Sequence, residues 1–146
     1  MHLNSALDIH YRLVNGADYT IMPDPAVANG LGAVYLKTRK TIDIAHGRIL
    51  KVPTGIQILQ YPTFELNSNP PVTVGTIARC CAIPELEEEE GLSVLGPQLI
   101  SSDRNGEIYV TLKNNGKAIY HAERGETIAL LIFSMVPMIE FSAVTS

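Results

Sequence analysis

Residues 100–117 read Ile-Ser-Ser-Asp-Arg-Asn-Gly-Glu-Ile-Tyr-Val-Thr-Leu-Lys-Asn-Asn-Gly-Lys, and of all segments this one indicates the fold class most clearly. Apolar and polar residues alternate through residues 107–113, which is typical of a β-strand with one buried face. Glycine or asparagine supplies the positive φ of tight hairpin turns. Three such pairs flank or follow the strand: Asn105-Gly106, Asn115-Gly116 and Arg124-Gly125. The segment from Leu99 to Phe133 is therefore predicted to be a meander of short strands.

The rest of the chain shows the same pattern. Short apolar or alternating runs recur about every ten residues, and helical periodicity is nearly absent. We therefore predict an all-β chain that forms a single domain over residues 1–146. The predicted strands are Ala6–Leu13, Ala33–Thr38, Thr41–Ile44, Ile49–Val52, Ile56–Gln60, Phe64–Leu66, Val72–Ile77, Leu92–Leu95, Glu107–Lys113, Ala118–His121, Thr127–Ser134 and Met138–Ala143. The acidic run Glu85–Glu90 leaves two alternatives open, a short helical turn or a solvated loop.

Composition excludes several classes of partner. The chain has 11 Lys and Arg against 15 Asp and Glu, so no basic face is expected for nucleic acid. Its longest apolar stretch, Ile128–Pro137, is about half the length that crosses a bilayer, and we expect a soluble protein without a membrane partner. The adjacent Cys80 and Cys81 cannot close a long disulfide loop and are expected to be reduced.

Signals for metal, cofactor or nucleophile sites are weak. The four histidines are scattered, and His10 and His121 each have one acid two residues away but no local third ligand. The chain has no Gly-x-Ser-x-Gly turn and no glycine-rich loop before a helix. No metal and no cofactor are therefore predicted.

Three segments resemble the trimeric dUTPase family. Residues 100–117 are similar to its third motif, Ile-Asp-Ser-Asp-Tyr-Arg/Gln-Gly, and the uracil-binding hairpin that follows. Residues 124–133 are similar to its fourth motif, and Val52-Pro-Thr-Gly-Ile56 resembles the strand end that follows its first motif. The resemblance implies a jelly-roll-type β-barrel that forms homotrimers, with active sites at the subunit boundaries.

The third motif implies the position of the catalytic acid. In the family, an aspartate orients and deprotonates the water that attacks the α-phosphorus of dUTP, while magnesium spans the phosphates. Ser101 stands at that aspartate's position, and a hydroxyl cannot serve as a base near neutral pH. Asp103 is retained, although it could simply initiate the Asn-Gly turn, and Arg104 replaces the tyrosine that stacks under the deoxyribose.

The remaining motifs are also altered. The second motif, Arg-Ser-Gly, appears as Arg79-Cys80-Cys81, which keeps an arginine that could bind phosphate or simply cap a strand or pair with an acid. Val34 replaces the acid of the first motif, and the fifth motif has no counterpart after Phe141. The predicted remnants of a nucleotide pocket, none of them catalytic, are Arg79, Cys80, Ser101, Asp103, Arg104 and Leu130, the last in place of a phosphate-binding glutamine.

These replacements favour a non-catalytic protein over an enzyme. The first prediction is a structural or assembly module, such as a trimeric bacteriophage capsid decoration protein bound to a major capsid protein in the virion. The alternatives are a cytoplasmic nucleotide-binding or regulatory module, or a divergent dUTP diphosphatase that uses Asp103 or Glu107 as its base. A related deaminase is disfavoured, because Thr111 stands where that family has its glutamate.

Overall fold

Strands dominate a computed structural model of the chain, which describes residues 7–26, 32–100 and 106–145. Ser101, Asp103 and Arg104 lie outside these ranges. The strands are β1 (His10–Leu13), β2 (Asp24–Pro25), β3 (Ala33–Lys37), β4 (Ile42–Ile44), β5 (Ile49–Pro53), β6 (Ile56–Gln60), β7 (Phe64–Leu66), β8 (Val72–Cys81), β9 (Leu92–Gly96), β10 (Tyr109–Asn114), β11 (Tyr120–Ala122) and β12 (Thr127–Pro137). A 3-10 turn covers Tyr19–Ile21, and the helix α1 covers Pro84–Glu90. No helix in the described ranges is long and apolar enough to cross a membrane.

The strands form two larger antiparallel sheets and two antiparallel pairs. The five-stranded sheet has the order β2-β3-β12-β8-β7, and the three-stranded sheet has the order β5-β10-β9. The pairs are β1-β6 and β11-β4. One buried cluster joins the larger sheets: Leu36, Cys80 and Leu131 come from the first, and Val52 and Leu112 come from the second. The all-β prediction is confirmed.

Strand β8 shows how the sequence places this core. Val74, Thr76, Ala78 and Cys80 are buried, whereas the residues between them are half-buried or exposed. This two-residue period is the one expected of a strand that packs one face on a core and leaves the other open. The predicted strand ended at Ile77, four residues too early.

The end of the chain differs from the prediction. The strand predicted at Met138–Ala143 is wrong, because β12 continues to Pro137 and the described residues after it form no strand. The Met138 amide still donates to the Thr73 carbonyl at 2.8 Å, but Phe141 is 96% exposed. An alternating apolar run forms a strand only where a partner ladder receives its amides and carbonyls.

Helix α1 decides between the two alternatives for the acidic run. Pro84 lies in its first turn, where a missing amide costs nothing. Gly91 ends it in the left-handed conformation, with φ of 71°, and its amide donates to the Glu87 carbonyl at 3.1 Å. The run therefore forms a capped seven-residue helix rather than a solvated loop.

A histidine links the two strands of the β4-β11 pair. His121 Nδ1 lies 2.7 Å from Oδ1 of Asp43, and Nε2 lies 2.9 Å from Oε1 of Glu123. The hydrogen bond to Asp43, and then that to Glu123, raises the pKa of His121 above its ordinary value of 6.5. The imidazolium form, in which both nitrogens donate, is thus favoured by folding.

This cluster makes the stability depend on pH. The folded chain binds the His121 proton more tightly than the unfolded chain does, so the contribution is complete below 6.5 and is lost as the pH rises through the folded-state pKa. We expect the free energy of unfolding, measured by urea denaturation, to fall from about pH 6 upward, and to fall less in His121→Gln and Asp43→Asn. Identical pH profiles for the three proteins would contradict this assignment.

Candidate functional site

The described motif positions lie side by side on the five-stranded sheet. Leu130 on β12 pairs with Tyr35 on β3 and with Cys81 on β8. The next residue, Leu131, pairs with Val34 and Cys80. The first, second and fourth motif segments, which are far apart in sequence, therefore meet in two adjacent rows.

The two rows face opposite ways. Residues directly opposite each other on antiparallel strands share a face, and successive residues alternate between faces. Cys80 and Leu131 are buried in the core, so Cys80 does not present its thiol where the family's serine would meet a ligand. Leu130 and Cys81 are half-buried on the other face. Of the predicted pocket positions, Leu130 can therefore line a site on this face, and Cys80 is a core residue.

Arg79 projects from this open face near the end of β8. It is exposed, and its Nη1 donates to the Sγ of Cys81 at 3.1 Å. It makes no ion pair with a carboxylate within the described part of the chain. A guanidinium held only by a thiol can still bind an anion with its planar donors.

The third-motif segment begins next to Arg79. The Ile100 amide donates to the Ala78 carbonyl at 2.7 Å, and the Ala78 amide donates back at 3.3 Å. The buried Tyr61 hydroxyl also donates to the Ile100 carbonyl at 2.8 Å. These bonds fix the residue before Ser101 opposite the residue before Arg79, which brings the second and third motifs together.

Glu107 lies near the start of the last described range, and its carboxylate already has hydrogen-bond partners. Its carboxylate accepts from Nε and Nη2 of Arg39 at 2.9 and 2.7 Å and from the Gly55 amide at 2.7 Å. The side chain is 8% exposed. A carboxylate that is paired and buried in this way stabilises the loops around it and is unavailable as the base that the sequence had suggested as one alternative.

Asp24 was not singled out in the sequence. It pairs with Tyr35 and so extends the row of Leu130 and Cys81 across a fourth strand. Its carboxylate lies 2.7 Å from Nζ of Lys37. The two-residue strand β2 has no periodicity that could have predicted this position.

The described side chains form no cluster that could hold a metal ion. Over residues 7–26, 32–100 and 106–145, no group of three His, Cys, Asp or Glu side chains is arranged to hold an ion. Both nitrogens of His121 are already directed at carboxylates.

Curated relatives and solved structures place this arrangement among known proteins. The chain is 33% identical over 106 residues to a deoxyuridine 5'-triphosphate nucleotidohydrolase of Gloeobacter violaceus, covering 72% of this chain and 64% of that protein. It is 29% identical over 104 residues to the same enzyme of a Thermoanaerobacter species, covering 70% of this chain and 62% of that protein. The chain thus spans slightly less than two thirds of these relatives. No family model matches the chain.

The fold matches solved dUTPase structures. The dUTPase of Streptococcus mutans superposes with a TM-score of 0.69 at 19% identity, over 91% of this chain and 98% of that one. The dUTPase of phage phi11 of Staphylococcus aureus superposes with a TM-score of 0.74 at 11% identity, over 95% and 97%. The predicted dUTPase-like fold is therefore confirmed.

These relatives correct the functional prediction. The expectation of a non-catalytic protein is contradicted, because the related curated proteins are nucleotidohydrolases. It rested on the replacements at Val34, Ser101, Arg104 and Leu130 and on the missing fifth motif, although Asp103 is retained. None of the four proteins is named as a capsid protein, so a capsid partner and a virion location have no support.

Proposed function

We propose that this chain is a member of the dUTPase family and acts as a divergent dUTP diphosphatase. The main support is the 33% identity of the chain to a deoxyuridine triphosphate nucleotidohydrolase, together with the motif segments that meet on one sheet. In the proposed reaction, a water oxygen attacks the α-phosphorus of magnesium-bound dUTP. The bond from that phosphorus to the bridging oxygen breaks, and dUMP and pyrophosphate leave.

Asp103 is the proposed base. Between Pro97 and Lys113 the chain has two carboxylates, Asp103 and Glu107. Glu107 is committed to Arg39 and Gly55, which leaves Asp103 as the candidate base among the carboxylates of this segment. Its proposed task is to accept the proton of the attacking water, as general bases do in reactions of this kind.

Arg79 is the proposed phosphate ligand. Its guanidinium projects from the face that Leu130 and Cys81 share. The third-motif segment begins at Ile100, which pairs with Ala78, the residue before Arg79 in β8. Two parallel N–H donors match the oxygens of a phosphate and would replace the contact with the Cys81 thiol. This role orients the leaving pyrophosphate or the α-phosphate against the base.

A homotrimer is the proposed assembly. In the family that the motifs resemble, active sites lie at the subunit boundaries. In a homotrimer of this chain, the open face of β8 and β12 would therefore lie where another subunit can cover it. A cytoplasmic location, where a free nucleotide is the substrate, is part of the same proposal. Light scattering should give three times the chain mass of 15.9 kDa.

The test is pyrophosphate release from dUTP in the presence of magnesium. We expect turnover above background by the unaltered protein and a loss of about 100-fold or more in Asp103→Ala, because a missing general base typically costs that much. Arg79→Ala should raise the KM for dUTP. Heteronuclear spectra would verify that each variant is folded.

Glu107→Gln and Glu65→Gln serve as comparisons. Glu65 is an exposed acid on β7, at the edge strand of the sheet, and its variant should turn over dUTP at the unaltered rate. Full loss of turnover in a folded Glu107→Gln protein, with Asp103→Ala unaffected, would move the base to Glu107. Absence of turnover in the unaltered trimer at any magnesium concentration would refute the proposal itself.

A further inference from the structure

An open cleft of about 460 Å³ lies beside the β4-β11 pair and reaches Asp24, at the outer end of the row of Leu130 and Cys81. We call it the acidic cleft, and the residues that matter for its chemistry are Lys37, Leu86, Glu90, Tyr120, Glu126 and Thr127. Thr127 begins β12, three residues before Leu130, which is about 10 Å along a strand. The cleft and the proposed nucleotide site are therefore neighbours rather than one site.

The charges of the cleft leave two carboxylates without a cation. Lys37 is neutralised by Asp24 at 2.7 Å, and His121, which also lines the cleft, is paired with Asp43 and Glu123. Glu90 and Glu126 make no ion pair within the described part of the chain. Oε2 of Glu126 accepts from the Glu123 amide at 2.5 Å, which fixes the side chain and leaves Oε1 for another donor. A triphosphate would be repelled here.

Tyr120 provides a second and independent observation. Its ring belongs to the buried core and is 6% exposed, yet the residue lines the cleft. Its hydroxyl makes no hydrogen bond in the part of the chain that the structure describes, and because no buried polar side-chain atom there lacks a partner, this hydroxyl is accessible from the cleft. Burial, and then the charges of Glu126 and Glu90, raise the pKa of Tyr120 to about 12, so the hydroxyl stays protonated beside both acids.

We propose that the acidic cleft binds an organic cation, a protonated amine or a guanidinium carried on an apolar stem. The ammonium or guanidinium hydrogens bond the free oxygens of Glu90 and Glu126 and the lone pair of the Tyr120 hydroxyl. Leu86 and the Tyr120 ring receive the methylene stem, as apolar surfaces do for lysine and arginine stems. The arrangement suits a cation of this kind better than a metal ion, because the described residues contain no metal-ligand cluster.

The experiment is a titration of the complete protein with two probes at constant ionic strength. The probes are 1,4-diaminobutane and a tripeptide amide with one central arginine, and binding is followed by amide NMR shifts of Gly125, Glu126 and Thr127. Saturable shifts confined to the cleft are the expected result. Tighter binding of the diamine identifies a small-molecule amine, and tighter binding of the peptide identifies a side chain of a protein partner.

Charge-neutral variants give the decisive comparison. Glu126→Gln keeps the acceptor for the Glu123 amide, and we expect it and Glu90→Gln each to weaken binding about tenfold, with Tyr120→Phe about five-fold. Glu65→Gln removes the same charge at the far edge strand and should leave the affinity unchanged. The proposal is overturned if neither probe gives saturable shifts, or if Glu65→Gln weakens binding as much as the cleft variants do.

Discussion

Gly91→Ala is expected to lower the free energy of unfolding by about 3–5 kcal/mol, which would leave little of a small domain's stability. A Cβ at Gly91 would lie 2.5 Å from the Gly116 amide nitrogen and 2.8 Å from the Gly116 Cα. Both contacts are with backbone, so no side-chain rotation relieves them. The left-handed φ of 71° adds the strain of a non-glycine residue.

The contact matters because it joins helix α1 to the turn after β10. The Asn115 amide donates to the Gly91 carbonyl at 2.8 Å, and the Asn114 side chain is bound to Ile44, Ala118 and Gly116. Moving Gly116 to admit a methyl group would break this buried network. The loss should therefore appear as lower cooperative stability rather than as local fraying of α1.

Gly47→Ala is the matched control. Gly47 also has a positive φ, 77°, but nothing lies within 4 Å of its added Cβ. Its variant should lose about 1 kcal/mol, from backbone strain alone. Urea denaturation of both variants separates steric overlap from strain. Equal losses in the two proteins would show that the contact with Gly116 contributes nothing.

The sequence predicted those strands that have a strong two-residue period and a partner. Strands β10, β11 and β12 lie close to their predicted places within Leu99–Phe133, but the predicted meander is wrong: β10 pairs with β5 and β9, β11 with β4, and β12 with β3 and β8, rather than with one another. Strand β2 was not predicted, because two residues are too few to show an alternation of apolar and polar side chains. Its pairing with β3 arises from tertiary contact. The acidic run stayed ambiguous because the buried face of α1 consists of little more than Leu86.

The sequence predicted some residues of the candidate site and missed others, because tertiary contacts are not visible in a local pattern. Motif resemblance identified Leu130 and Arg79, which the structure places on one sheet, but it could not show that Cys80 faces the core. The pair of Arg39 and Glu107 joins residues 68 positions apart, and no spacing rule links them. That pair, once seen, removes Glu107 from the candidate bases and leaves Asp103.

Ser101→Asp is expected to raise the rate of pyrophosphate release from dUTP by about 100-fold, the lower end of what a positioned general base contributes. The substitution returns a carboxylate to the position that carries the acid in the third motif of the resembled family. Ile100, which precedes it, is held by two backbone hydrogen bonds to Ala78, the neighbour of Arg79 in β8.

The double variant Ser101→Asp, Asp103→Ala tells which carboxylate takes the proton. If Asp103 serves as base only because position 101 lacks one, the double variant should keep the rate of Ser101→Asp, while Asp103→Ala alone is inactive. Ser101→Asn is the isosteric control: it fills the same space without a charge and should not raise the rate. An unchanged rate in folded Ser101→Asp would mean that position 101 does not face the α-phosphate, and the motif correspondence that places the site would be wrong.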